Sequence, residues 1–125
     1  MNIRRAMPVI ATEDPEGSRQ VYVGLLGFTV AMEQDGMLML RSPSVPTTQL
    51  LLAWASPTAM DPHVLEVDVS IEVEDVDAAY AAACDRGLEV VYPLTDEPWG
   101  VRRFFLREPS GRTLNIASHV ADLPG

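Results

Sequence analysis

One local pattern occurs twice in this chain and limits what it can fold into. Asp14-Pro15-Glu16 opens a stretch that ends at Leu26-Gly27 and runs into Phe28-Thr29-Val30. Asp75-Val76-Asp77 opens a second stretch that ends at Arg86-Gly87 and runs into Leu88-Glu89-Val90. An aspartate able to cap, acidic residues in the first turn and a glycine after the last turn are helix start and stop signals. Asp14–Gly27 and Asp75–Gly87 differ in separation by one residue. The chain therefore reads as a duplication of strand, helix and strands.

The segments around these helices carry strand signals. Residues 3–12 (IRRAMPVIAT) and 28–32 flank the first helix, and Asp35-Gly36 marks a hairpin turn into Met37-Leu38-Met39-Leu40. Gln49 to Trp54 completes the first module, 3–54. Residues 55–63 (ASPTAMDPH) hold two prolines and form the expected linker. From 64 to 73 the chain alternates, with Val67, Val69, Ile71 and Val73 on one face and Glu66, Asp68, Ser70 and Glu72 on the other. The second helix, strand 89–92, loop 93–100, strand 102–106 and strand 112–118 complete the second module, 64–118. The expected fold is α+β: two tandem βαβββ modules in one domain, 1–125, forming a curved sheet around a cleft. Pattern alone leaves a ferredoxin-like sheet open as well.

Charge narrows the partners. Nine Lys+Arg against 18 Asp+Glu give a net charge of −9, and all nine cations are arginines. Binding a phosphate backbone needs clustered cations, so nucleic acid is not expected. An acidic field favours a cationic ligand. No apolar run approaches the length of about 20 residues that a membrane helix needs, and the first residues do not read as a secretory leader. The lone Cys84 fits a reducing, cytoplasmic setting. In AYAAACDRG it is expected as a small buried helix residue.

Several motifs in order carry a family resemblance. Asp14, Tyr22 and Leu25-Leu26-Gly27-Phe28 form a helix-to-strand signature, and Glu72 to Tyr80 form a second helix entry. Glu97-Pro98-Trp99-Gly100 and Phe104 to Gly111 form a closing hairpin, with Glu108 where aspartate is usual. Together they resemble the vicinal oxygen chelate superfamily of glyoxalases, bleomycin-resistance proteins and extradiol dioxygenases. The resemblance implies four metal-ligand positions. They fall on Met7, on the Leu50-Leu51-Leu52 run, on Asp68 and on Asn115. A thioether is a poor ligand for hard divalent ions and leucine is none, so no metal and no cofactor are expected, and the metal-free bleomycin-resistance-like branch is the nearest match. His63 and His119 lie away from these positions and are expected at the surface.

What remains is a cleft for an organic molecule. Alternation assigns it Met7 and Val9, Asp68 and Ser70, Arg103 and Phe105, Asn115 and Ala117. Met37 and Met39 share one strand face, and Trp54 and Trp99 are candidate stacking walls. The candidate ligand-binding set is Met7, Met39, Trp54, Asp68, Trp99, Arg103, Phe105 and Asn115. A buried Arg103 needs a partner, for which Asp68, Glu97 or an anionic ligand group serves. The expected function is metal-free binding of a small organic ligand, cationic or aromatic. Sequestration of an antibiotic or related natural product would be its purpose. The alternatives are a glyoxalase- or isomerase-type enzyme with Asp68 as general base, and a natural-product biosynthetic protein using the same cleft. The resemblance implies a homodimer, because each open sheet leaves an apolar face.

Overall fold

The computed structural model describes residues 1–122; the last three residues of the expected 1–125 domain lie outside that range. In chain order the elements are β1 (Ile3–Ala11), α1 (Pro15–Arg19), a π-helical segment (Gln20–Leu25), β2 (Thr29–Gln34), β3 (Met37–Arg41) and β4 (Gln49–Ala53). A 3-10 turn (Val64–Glu66) leads to β5 (Val69–Val73), α2 (Val76–Asp85), β6 (Glu89–Glu97), β7 (Val101–Arg107), β8 (Thr113–His119) and a last 3-10 turn. Two compact units result, residues 7–66 and residues 1–6 with 67 onward.

In the unit of residues 7–66 the strand order is β2-β3-β4-β1, and β1 pairs in parallel with β4. In the other unit the order is β5-β8-β7-β6, and β5 pairs in parallel with β8. Each unit's first strand thus lies beside its own fourth, which gives the βαβββ arrangement twice and excludes a ferredoxin-like sheet. The boundary differs from the expected one. It falls inside β1, because the chain's first residues are tied to the second unit: Glu74 donates its N–H to Asn2 at 3.0 Å. Arg5 pairs with Glu72 at 3.6 Å.

Each helix covers one face of its sheet. In the unit containing β5, α2 places Val76, Ala79 and Ala83 against Val73, Phe104 and Leu106. Phe104 is fully buried and meets Tyr80 edge to face at 5.0 Å. Ser118 ties this layer together: its hydroxyl donates to Val73 O at 2.7 Å and accepts from Val76 N at 3.1 Å, serving the first turn of α2. Cys84 corrects the sequence reading, since it is exposed. It follows Ala83, and one helical step of about 100° carries it off the buried stripe.

In the unit of residues 7–66, Leu38, Leu40 and Leu52 pack with Tyr22, Val23 and Phe28 from the helical segment. The first helix, expected to be continuous, is α-helical only to Arg19. Its wider π turn then turns Tyr22 and Val23 inward and leaves Val21, Leu25 and Leu26 exposed. The expected strand 64–73 is also shorter: Val64–Glu66 coils as a 3-10 turn, and β5 begins at Val69. Conversely, β6 runs on to Glu97 where a loop from 93 was expected.

Candidate functional site

The face of the β5-β8-β7-β6 sheet away from α2 is built by register. Ser70 lies opposite Asn115, and Asn115 opposite Phe105. Arg103 lies opposite Ala117. Strict alternation would place Tyr92 on the helix side with Val90 and Leu94. Register shifts on either side of Tyr92 move it instead opposite Phe105. A bulge of this kind re-aims a side chain, and Pro93, which has no N–H to give, fits such a place on an edge strand.

The hairpin from β6 to β7 turns through Pro98-Trp99-Gly100, where Gly100 takes φ +86° and donates its N–H to Glu97 O at 3.2 Å. A short turn with a left-handed glycine fixes the position of Trp99.

These side chains converge on one guanidinium. Arg103 is 3% exposed. Its guanidinium carbon lies 5.0 Å from the Trp99 ring centre, 4.9 Å from Phe105 and 5.5 Å from Tyr92. Tyr92 and Phe105 stack at 4.6 Å. Glu97 supplies the counter-charge: its Oε2 is 2.6 Å from an Arg103 nitrogen, and its side chain is 8% exposed. The Tyr92 hydroxyl donates to the same carboxylate at 3.2 Å. The result is a buried, charge-balanced ion pair walled by three aromatic rings, with Trp99 still partly exposed.

Of the candidates read from the sequence, Trp99, Arg103 and Phe105 therefore meet, and Asn115 stands beside Phe105. Glu97, not Asp68, is the partner of Arg103. Asp68 lies just before β5, where its carboxylate accepts the Thr113 N–H at 2.8 Å and stands 3.9 Å from Arg112. In the other unit, Met39 packs with Val9, Leu51, Ala53 and Val64, and Met7 is 5% exposed on the same strand face as Val9. Trp54 sits otherwise, against the helix-side cluster of Leu38, Leu40 and Leu52. Tyr92 is the residue that sequence reasoning missed.

The four ligand positions do not fit a divalent metal. The open-face leucine of β4 is Leu51, since Leu50 and Leu52 pack on the helix side. Met7 offers a thioether. The Asp68 carboxylate already holds a backbone N–H, and the Asn115 amide donates to Ser70 Oγ at 2.8 Å. Among the described residues no three His, Cys, Asp or Glu side chains converge on a point. His119 is exposed and His63 half-buried: His63 pairs with Glu66 and His119 with Glu72 at 3.2 Å. The Asn115 Oδ1 is buried and has no hydrogen-bond partner among the described residues.

Two βαβββ units, each with a helix on one sheet face, one with apolar groups and the other with polar and aromatic groups on the opposite face, define a chelate-type fold. The chain belongs to the Glyoxalase/Bleomycin resistance protein/Dioxygenase superfamily, whose sequence model matches residues 4–116. Among solved structures it is similar to a superfamily member from Vibrio splendidus 12B01, at 16% identity and TM-score 0.69, covering 94% of this chain and 99% of that one. It is also similar to a Streptomyces coelicolor methylmalonyl-CoA epimerase in complex with 2-nitronate-propionyl-CoA, at 21% identity and TM-score 0.68, covering 97% of both chains. An extradiol ring-cleaving dioxygenase from B. fuscum matches at 22% identity and TM-score 0.68, over 94% of this chain and 33% of that one. No curated protein matches. Among the described residues no helix is long and apolar enough to cross a membrane.

Proposed function

We propose that the chain binds a small conjugated organic molecule at the open face around Trp99, without a metal, and that sequestration of an antibiotic or related natural product is its purpose. The observation that carries this reading is the aromatic cluster on Arg103. Its ion pair is internally neutralised, so stacking and burial, not net charge, supply affinity. The rings are held in place before a ligand arrives, which lowers the ordering cost of binding. The orphaned Asn115 Oδ1 gives the same face an acceptor for a ligand N–H or O–H, because a buried acceptor left unmet is costly.

The test is a fluorescence-quenching screen of the purified protein against polycyclic and glycopeptide antibiotics, run with and without EDTA, beside elemental analysis of the same preparation. Saturable quenching by at least one compound, unchanged by EDTA, is expected. No quenching by any compound would contradict the reading. So would one equivalent of Zn, Ni, Fe or Mn per chain whose removal abolishes binding.

An epimerase- or isomerase-type activity is the second reading, favoured by the likeness to methylmalonyl-CoA epimerase over 97% of both chains. Asp68 would be its base; its Oδ2 accepts the Thr113 N–H at 2.8 Å, which leaves Oδ1 to take a proton.

A homodimer accompanies the proposal. Leu25 and Leu26 are 78% and 60% exposed, a large apolar surface for a monomer to leave in water. Light scattering at micromolar concentration is expected to give twice the 13.7 kDa chain mass. A monomer under those conditions contradicts it.

A further inference from the structure

The open face of the β5-β8-β7-β6 sheet carries a second charged group that the site at Trp99 does not use. Glu72 lies on that face of β5, since Ile71 and Val73 pack on the helix side. His119 lies on that face of β8, since Leu114 and Ile116 pack on the helix side and the Ser118 hydroxyl bonds to Val73 O and Val76 N. There His119 Nε2 is 3.2 Å from Glu72 Oε1, and Arg5 Nε is 3.6 Å from Glu72 Oε2. The Glu72 side chain is 17% exposed and that of His119 51%. The carboxylate is thus held from two sides, while the ring is open to a ligand. All three residues belong to the same unit as Trp99.

Register brings this pair to the Trp99 end of the face. Glu72 lies opposite Ala117, and Ala117 opposite Arg103. The side chain between carboxylate and guanidinium in that row is a methyl group, which walls neither side off. His119 lies opposite Val101, which makes it a diagonal neighbour of Arg103, about 7–8 Å away in such a ladder. The Trp99 ring is itself 5.0 Å from Arg103. The turn that carries Trp99 is also fastened to the same strand end, because Val120 N–H donates to Gly100 O at 2.9 Å.

We propose that His119 is a catalytic base, positioned by Glu72, that moves a proton on a ligand held at Trp99; this rests on the reading that a conjugated organic molecule binds there. A ring nitrogen that faces a carboxylate keeps the hydrogen, so Nε2 carries it and Nδ1 carries the lone pair. An unaided imidazole takes protons only from carbon acids whose carbanion is spread by conjugation. The substrate class is therefore an aryl or otherwise conjugated ketone, whose flat body suits an indole ring. In the step, Nδ1 takes the proton from the carbon between ring and carbonyl. The C–H electron pair becomes the C=C bond of the enolate, and the charge passes to the carbonyl oxygen. The imidazolium so formed faces the Glu72 carboxylate. Return of the proton to the same carbon exchanges it, and return to another conjugated carbon isomerises the ketone.

The probe is 2-tetralone, an uncharged aryl ketone, incubated with the full chain in D2O. Loss of its C1 proton signal is followed by NMR, beside tryptophan quenching in the same sample. Exchange faster than in buffer, and saturating with the ketone, is expected. His119→Ala should keep the fold, since the side chain is half exposed, and lower kcat by about 10²–10⁴-fold, the weight of one acid–base group. Added imidazole should restore part of that loss, beyond its effect in buffer. Glu72→Gln should lower kcat by about tenfold with KM unchanged, the scale of one hydrogen bond and a split that a purely structural carboxylate would not give. Trp99→Ala should raise KM. Exchange no faster than in buffer would overturn the inference. So would exchange by His119→Ala at the wild-type rate, or an unchanged KM in Trp99→Ala. Quenching without exchange would overturn it too, while leaving the binding site at Trp99 standing.

Discussion

Glu97→Ala is expected to destabilise the protein by about 3–5 kcal/mol, the cost of breaking a buried ion pair by removing one of its members. Arg103 cannot reach water by a small movement: it is 3% exposed and enclosed by Tyr92, Trp99 and Phe105. Without the carboxylate, the guanidinium loses the 2.6 Å contact to Glu97, and the Tyr92 hydroxyl loses the hydrogen bond at 3.2 Å. A loss of that size is a large part of the roughly 5–15 kcal/mol that holds a domain of this kind together. The exposed pair of Glu89 and Arg107 is the internal comparison. Its side chains are 59% and 47% exposed, so Glu89→Ala should cost less than about 1 kcal/mol. Denaturant midpoints of the two variants decide the matter. Equal losses would mean that the Glu97–Arg103 pair does not organise this face.

The neighbouring Arg102 shows the contrast within one strand. It points to the other side of β7 and donates to Asp96 at 2.6 Å and Asp77 at 3.0 Å. Those hydrogen bonds, Asp96 first, raise its pKa further above the ordinary guanidinium value, but the group is exposed. One residue of alternation separates a solvated surface network from a buried one.

Much of this architecture is readable in the residues. The duplicated helix starts and glycine stops mark both βαβββ units, and alternation puts Arg103 and Phe105 on one face of β7. What escapes is what depends on register. Tyr92 has the parity of Val90 and Leu94, and only the bulges in β6 turn it toward Phe105. Within Leu50-Leu51-Leu52, three identical side chains carry no pattern, and pairing of Leu51 with Val9 and Met39 singles it out. Trp54 shares the parity of Leu50 and Leu52 and packs with them on the helix side, so its direction too hung on the register of the leucine run. The division inside β1 was hidden because its cause is long-range: Asn2 meets Glu74 just after β5, and Arg5 meets Glu72 within it, far along the chain.

Trp99→Ala is the second large expected effect. Stacking on a conjugated ligand is worth about 0.5–1.5 kcal/mol beyond burial. The area lost on truncation adds roughly 1.5–3 kcal/mol. Affinity should then fall by roughly ten- to a thousandfold. Stability should fall less, because the ring's own contact that is lost is its stacking on Arg103, worth about 0.5–2 kcal/mol, while Glu97 still neutralises the charge. The measurement that tests the central claim most directly is therefore a calorimetric titration in EDTA with the strongest quencher from the screen. It is made on the wild type and Trp99→Ala side by side, with the melting temperature of each recorded. At least a tenfold loss of affinity in a variant that keeps most of its stability is the predicted result. Unchanged affinity with a clear drop in melting temperature would contradict it, and would make Trp99 a packing residue.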